Sequence, residues 1–345
     1  MTAAGDAGRV LQVVENHFAA GDHIRAEEAI RAALAADPHN PRLLTAFARA
    51  KLGQSDWSAA AASAHAALSA EPDNEHTMRV YTRALEMLGR RDEALSMAWR
   101  TASAHPSSYQ AQYGHARLLK ATGRMGEAMA AVNEALRLNP ADVDSLILRG
   151  DMFSALGQYQ WAEADYRQAL QLNPQHADAI HSLAVLENAR GRRRSAMRGF
   201  VEAERADPSY RDVVRQNLGV IVGGVLRRSA WVVLIVGFAV ILTYTLGEDG
   251  HPTVIPRVVA GVGALALVAM YARVMRDMPG GQLKSVVRQR QMLALRILQL
   301  VAAVVLGALT AAIGAMTVPA VAASVLVLSL PVVVIVGALT GERLW

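Results

Sequence analysis

Six prolines, Pro38, Pro72, Pro106, Pro140, Pro174 and Pro208, are separated by 34 residues each time. A fixed period of that length means that one supersecondary unit is copied along the chain, and it constrains the fold before any element is assigned. With proline at position 32, the units run 7–40, 41–74, 75–108, 109–142, 143–176 and 177–210. Position 20 is alanine in every unit: Ala26, Ala60, Ala94, Ala128, Ala162 and Ala196. Position 15 is Gly21, Gly89, Gly123, Gly157 and Gly191, broken only by Ser55. Position 27 is Ala33, Ala67, Ala135, Ala169 and Ala203, with Thr101 the one departure.

Each column has a physical reading. Small residues at positions 8, 20 and 27 let two helix axes approach where a larger side chain would overpack the contact. Glycine at position 15 falls just past the first helix, where a left-handed residue ends it at little cost. Proline at position 32 stops the second helix and turns the chain toward the next unit. Apolar residues recur at positions 4, 7, 8 and 11 of the first helix; Met78, Tyr81 and Leu85 have the i, i+3, i+7 spacing of one helical face. The expected unit is a helix, a turn and a helix, with positions 4, 7, 8 and 11 facing the core.

The runs Gly157-Gln158-Tyr159 to Tyr166, Ala169 and Asn173-Pro174 in the fifth unit resemble the consensus of the tetratricopeptide (TPR) repeats. Gly123 to Ala128, Ala135 and Asn139-Pro140 in the fourth unit do the same, and the resemblance covers residues 7–210. The second unit departs: Gly53 stands two places early and Ser55 holds the glycine slot. The resemblance implies an all-α fold, a TPR α-solenoid of six repeats with a concave binding surface, because such units cannot bury their faces alone. Residues 211–228 are expected to form a capping or linker helix, with Val214, Leu218, Ile221 and Val225 as its apolar stripe. Gly219, Gly223 and Gly224 each cost about 1 kcal/mol relative to alanine, so a hinge is expected at the end of that helix.

Composition changes after Arg228. The chain is 52% apolar and 19% charged, whereas soluble chains carry about 25% charge. Ser229 to Gly247 is a run of 19 uncharged residues, and about 20 apolar residues cross a bilayer as a helix. Residues 229–345 are expected to form a helical transmembrane bundle with spans near 229–247, 254–275, 297–318 and 320–340. Arg257 and Arg273 flank 15 uncharged residues in the second span and must snorkel to the interfaces. Pro319 marks a tight turn between the last two spans, and the 45 residues between Arg296 and Glu342 carry no charge.

Charge sets the expected partners and topology. Residues 1–228 hold 27 basic and 26 acidic groups and residues 229–345 hold 8 and 4, so the net +5 comes mainly from the membrane part. That distribution argues against a nucleic-acid partner. Arg211, Arg215, Arg227 and Arg228 precede the first span, and Arg273, Arg276, Lys284, Arg288, Arg290 and Arg296 lie between the second and third. The first outer loop has Glu248 and Asp249 with only Arg257. The positive-inside rule then places both termini in the cytoplasm. Residues 1–10 have no apolar core and contain Asp6, so no signal peptide is expected. Three lysines among 35 basic residues, with abundant alanine, suggest a high-GC bacterial genome, hence a multi-pass protein of a bacterial plasma membrane.

Catalytic chemistry is not expected. The chain has no cysteine, which excludes disulfides, cysteine nucleophiles and thiolate metal sites. Gly261-Val262-Gly263 with Ala266 matches G-x-G-x-x-A, but that fingerprint works only after a strand and at an exposed helix start, whereas here it falls in mid-span. No phosphate loop and no H-E-x-x-H pair occurs, and His115 reads as a packing residue. No Asp, Glu, Lys or His lies inside a span, which weakens ion-coupled transport. Ala303, Gly307, Ala311 and Ala315 form an i+4 ladder of the small-xxx-small type, a helix contact face rather than a pore lining. No enzyme activity, metal or cofactor is therefore expected.

Binding is expected on the first helices. Positions 2, 5, 6, 9, 12 and 13 face away from the core, and in the TPR family that face lines the peptide groove. Units two to four place Arg42, Arg49, Arg79, Arg83, Arg117 and Lys120 there against one acid, Glu86. Arg49, Arg83 and Arg117 share position 9 and should form a stripe, while Asp144, Asp151, Asp178 and His181 follow in units five and six. The asparagines of the family's carboxylate clamp are missing. The stripe either binds an acidic or carboxylate-terminated protein segment or solvates the helices. Arg192, Arg193 and Arg194, beside Arg190, are either a solvated turn or a contact with anionic headgroups, at about 1 kcal/mol per base. The segment 283–293 offers the same two readings.

Two functions fit: a membrane-anchored TPR scaffold recruiting cytosolic protein partners, or a regulatory TPR domain on a small channel, transporter or membrane-assembly component. Four spans exceed what an anchor needs, which keeps the second open.

Overall fold

The computed structural model describes residues 3–277, 291–313 and 317–339. Every regular element among them is a helix. The chain divides into two compact units, Met1–Pro174 and Gln175–Trp345.

The first unit is a run of five helix pairs. They are α1 (Ala3–Ala19) with α2 (His23–Ala36), α3 (Pro41–Gly53) with α4 (Trp57–Ala70), and α5 (Glu75–Met87) with α6 (Arg91–Ala104). Then follow α7 (Tyr109–Ala121) with α8 (Met125–Leu138), and α9 (Val143–Ala155) with α10 (Tyr159–Leu172). First helices end on a left-handed residue, with φ of 70° at Gly21, 75° at Gly89, 79° at Gly123 and 73° at Gly157. Ser55 takes the same conformation at φ 63°, and the Asp56 N–H donates to the Lys51 carbonyl at 2.9 Å, as Arg90 does to Leu85. The departing second unit therefore turns like the others. Gly53 is small for a different reason: a Cβ there would overlap the His23 ring.

Each second helix stops two residues before its proline. Asp37, ahead of Pro38, has φ −140° and ψ 81°, because the proline ring disfavours a helical neighbour. The next helix is capped from position 34: side-chain oxygens of Asn40, Asn74, Ser108 and Asp142 accept backbone N–H bonds of its first turn. Ala26, Ala60, Ala94, Ala128 and Ala162 are completely buried, as the alanine column requires.

The core pattern on the first helices differs from the sequence expectation. Positions 3 and 10 are buried in units two to five, as Leu43 and Ala50, Thr77 and Ala84, Ala111 and Leu118, and Ser145 and Met152. Position 7 is only partly covered at Phe47, Tyr81 and His115. Packing of a helix against its own partner uses one face. Stacking brings successive first helices into contact as well, so a second face, two turns long, is buried. Position 8 can still be very small: a Cβ on Gly150 would meet the Tyr166 ring at 2.6 Å.

The second compact unit begins with α11 (Ala177–Ala189) and α12 (Arg193–Ala206), followed by a 3-10 turn at Pro208–Tyr210. Then come α13 (Arg211–Glu248), α14 (Val254–Asp277), α15 (Gln291–Ile313) and α16 (Thr317–Leu339). The expected cap and the first span are one helix of 38 residues, about 57 Å at 1.5 Å per residue. No break occurs at Gly219, Gly223 or Gly224, where a hinge was expected. Val214, Leu218 and Ile221 are buried in one cluster with Met197, Phe200 and Val201 of α12, and this burial offsets the helix cost of the glycines. The Val225 side chain lies outside the described residues. The same cluster includes Val233, Val236 and Val240 together with Leu267, Leu300, Ala303 and Leu326.

Three stretches, Ser229–Glu248, Val254–Arg273 and Leu295–Ile313, are long and apolar enough to cross a membrane. Thr317–Leu330 adds a shorter apolar stretch in α16, and Pro319 sits in the first turn of that helix rather than between two spans. The small-residue ladder is a contact face. A Cβ on Gly307 would lie 2.8 Å from the Ala260 carbonyl oxygen, Ala303 is fully buried, and Ala311 faces Gly261. Ala315 lies outside the described residues. Gly261 and Gly263, the false fingerprint, pack against Ala311 and Val236. Arg257 donates from Nη2 to the carbonyls of Ala311 at 3.0 Å and Ala312 at 3.3 Å. Its charge is thus spent on the unpaired carbonyls that end α15. Gln299 Nε2 donates to Ser329 Oγ at 2.8 Å, tying α15 to α16.

Candidate protein-binding groove

Because successive first helices touch, α1, α3, α5, α7 and α9 present their polar positions along one groove. Two clefts lie on it. The larger, about 500 Å³, includes His76, Arg79, Arg83, Tyr109, Tyr113, Arg117 and Asp144 in its lining. The smaller, about 360 Å³, is lined by residues that include Gln12, Glu15, Arg42, Arg49, His76 and Thr77. His76 belongs to both. Thr45 and Thr77, in the lining of the smaller cleft, have their hydroxyls 2.8 Å apart across units two and three.

The predicted basic residues share this groove but do not form a row of free charges. Arg49 makes a fork with Glu15, one unit earlier at the same position, and lies 4.3 Å from the centre of the Phe18 ring. Arg117 binds Glu86 through both terminal nitrogens, at 2.5 and 2.6 Å, and Arg83 reaches the same carboxylate at 2.9 Å. Burial opposes the charge on Glu86, but Arg117 and then Arg83 overcome it and hold the carboxyl below its ordinary range. Lys120 Nζ meets Asp151 Oδ2 at 2.8 Å, and the Tyr166 hydroxyl donates to Oδ1 of the same group at 2.8 Å. Position-9 and position-12 charges therefore cross-link neighbouring units.

Arg79 and Arg42 differ from these. Arg79 lies 3.4 Å from Glu75 Oε1, an oxygen that already accepts the Ser108 hydroxyl at 2.6 Å. Arg42 is exposed and has no ion-pair partner among the described residues. His76 is three residues before Arg79, on the same helix face. Partial desolvation, then the charges of Arg49 and Arg79, hold its imidazole below the usual histidine range.

A second charge junction joins the first two units. Glu27 of α2 is met by Lys51 of α3, by Arg31 and by Gln54. Sequence reasoning did not single out Glu27, although its spacing to Arg31 is the helical i+4 pair that suggests it.

His115 is partly buried, and desolvation followed by Arg124 lowers its pKa. No group of three or more metal-ligating side chains occurs among the described residues. In the second compact unit Arg192 pairs with Glu187 at 3.0 Å, Arg193 is half-buried and Arg194 is exposed. Of the segment 283–293, residues 283–290 lie outside the described residues.

Tetratricopeptide-repeat family models match residues 83–143 and 143–176. No curated protein matches the chain by sequence. Among solved structures, the chain is similar to PilF of Pseudomonas aeruginosa, with TM-score 0.51 and 18% identity over 61% of this chain and 97% of that one. It is also similar to PilW, a type IV pilus biogenesis factor, with TM-score 0.51 and 20% identity over 58% of this chain and 93% of that one. A chain of the APC/C Cut9–Hcn1 hetero-tetramer gives TM-score 0.54 and 14% identity, over 59% of this chain and 41% of that one. At these identities the likeness concerns the fold. With six in-phase units, left-handed turns at position 15 and two matching family models, the chain is a tetratricopeptide-repeat protein that carries apolar, membrane-length helices in its C-terminal third.

Proposed function

We propose that the chain is a non-enzymatic scaffold, anchored in a bacterial plasma membrane, whose groove captures an extended acidic segment of a cytosolic protein. The observation that carries this reading is the pair of clefts along the first helices that share His76, with the partly exposed Arg79, Tyr109, Tyr113 and Arg117 in the larger and Arg42 and Arg49 in the smaller. An open groove whose lining mixes aromatic, aliphatic and cationic side chains suits an extended peptide, which offers both backbone and side-chain contacts. The apolar helices supply the anchor, and the basic residues before the first of them favour a cytoplasmic repeat domain.

The test is a photo-crosslinking amino acid placed in the groove at Gln110, or outside the cleft linings at the exposed Trp99, in cells that make the full chain. Protein adducts at Gln110 and not at Trp99 support capture in the groove; equal adducts, or none at Gln110, overturn it. Cysteines at Asp249 and Ser55 test the topology. External labelling at Asp249 alone is expected, and the reverse pattern refutes cytoplasmic repeats.

The bundle also favours a second reading, in which the spans do more than anchor. Helix α13 runs from the sixth repeat into the first span, and one buried cluster joins α12 to α15 and α16. A partner bound to the repeats would then bias the packing of a membrane component. Loss of cellular function on replacing all spans with one unrelated helix, with adducts at Gln110 retained, separates this reading from a plain scaffold.

A further inference from the structure

The groove contains two populations of cations, and they differ in what remains for a ligand to do. Arg49, Arg83, Arg117 and Lys120 each have a carboxylate at close range, supplied by Glu15, Glu86 or Asp151. A ligand acid would have to displace an existing ion pair, and the carboxylate left behind would oppose it. Arg42 has no such partner among the described residues, and the Arg79 contact at 3.4 Å uses an oxygen already bonded to Ser108.

Each of these two residues shares a cleft with His76. Arg42 and His76 hold position 2 of successive units and line the smaller cleft; His76 and Arg79 line the larger. The charged groups acting on His76 are Arg49 and Arg79 against Glu15 and Glu75, and the arginines act more strongly. Positive potential unspent by the fold is thus concentrated where the two clefts meet. Asn74 and Thr77, which also face the smaller cleft, bring no charge to it.

We propose that Arg42, His76 and Arg79 form an anion subsite that takes a carboxylate of the bound segment, whereas the position-9 arginines serve as an inter-repeat ladder and not as ligand contacts. This rests on the groove reading above and assigns its recognition to three residues. A guanidinium suits the role because it presents a planar fork of donors to a carboxylate. The occupant is an acidic protein segment; its carboxylate comes from side chains or from the chain end.

The probe is fluorescein-labelled hexaglutamate, as free acid and as C-terminal amide, titrated against the full chain in non-ionic detergent and read by anisotropy. Hexaglutamine is the uncharged control. Binding of hexaglutamate is expected to weaken at least about tenfold in Arg42→Gln/Arg79→Gln, since two charge-assisted contacts are lost. Arg117→Gln removes a position-9 arginine that is not among the charges acting on His76, and should stay within about threefold of wild type. Arg42 is exposed and Arg79 makes only a 3.4 Å contact with Glu75, so the thermal midpoint of the first variant should change little. Equal binding of acid and amide assigns the subsite to side-chain carboxylates, and binding of the acid alone assigns it to the chain end.

Three results overturn the proposal: hexaglutamate affinity in the double variant within about twofold of wild type, equal affinity for hexaglutamine, or no binding to the wild type at millimolar probe. If the Gln110 adducts form and survive in Arg42→Gln/Arg79→Gln, the groove reading stands and the subsite is wrong. If the adducts never form, the groove reading itself has failed.

Discussion

Glu27→Gln probes the junction that holds the first two units, and with them the wall carrying Arg42 and Arg49. The Glu27 carboxylate is 10% exposed and is met by Lys51 at 2.7 Å, Arg31 at 2.6 Å and Gln54 at 2.7 Å. Burial alone would raise its pKa, but the bonds from Lys51, Gln54 and Arg31 outweigh burial and lower it to about 2. Against an unfolded glutamate near 4.3, the gap corresponds to about 3 kcal/mol at 1.36 kcal/mol per pH unit. Arg31 is 65% exposed, and solvent screening of that partner reduces the expected contribution to about 2 kcal/mol. In the variant, Asp56, at 3.8 Å, is the carboxylate left to Lys51 among the described residues. The loss should appear at neutral pH as amide exchange about thirtyfold faster over α2 and α3, since each 1.4 kcal/mol is tenfold.

The pH dependence follows from the depressed folded pKa. The stabilisation is complete above about pH 4.3 and is lost as pH falls toward about 2. Urea midpoints of wild type and variant should therefore differ by a constant amount between about pH 5 and 8 and converge below about pH 4. Equal exchange rates at neutral pH, or a midpoint difference that persists unchanged at about pH 2.5, would refute the reasoning.

Ser55→Val should lower the urea midpoint by the equivalent of about 1–2 kcal/mol, because a β-branched residue must adopt φ 63° there, while Ser55→Gly should be neutral or stabilising. Gly307→Leu should lower the thermal midpoint of the detergent-solubilised chain strongly, since its Cβ would crowd the Ala260 carbonyl; Val305→Leu, at an exposed position of the same helix, should not. Hexaglutamate binding should tighten as pH falls below the usual histidine range, where His76, held low by desolvation and by Arg49 and Arg79, takes a proton, and His76→Gln should flatten that profile. An unchanged profile in His76→Gln removes the imidazole from the subsite.

Most of the solenoid was legible without coordinates because its signals are local. The alanines at position 20 mark a contact that admits only a methyl group, and Ala26, Ala60 and Ala94 are indeed sealed. Pro38 and its successors report the end of a helix through a clash with the residue before them. Gly307 and Ala311 announce a close helix contact through side-chain size alone. Signals that depend on one neighbour were harder to read. Ser55 was an anomaly in the sequence, yet its hydroxymethyl group is tolerated in the left-handed turn, and Gly53 answers to a histidine 30 positions away.

The fate of the charges was decided only by the tertiary structure. In sequence Arg49, Arg83 and Arg117 were a basic stripe. Stacking sets Glu15 beside Arg49 and Glu86 between Arg83 and Arg117, so the stripe is largely neutralised. Arg42, with no ion-pair partner among the described residues, and Arg79, with only a 3.4 Å contact to Glu75, are the less committed cations. Burial of positions 3 and 10 follows the same logic, as does the fusion of cap and span into α13. A chain's periodicity determines its helices, turns and apolar lengths, because those depend on residues within a few positions of each other. Which side chains satisfy one another depends on what the superhelical stacking places 31 to 34 residues apart within a few ångströms.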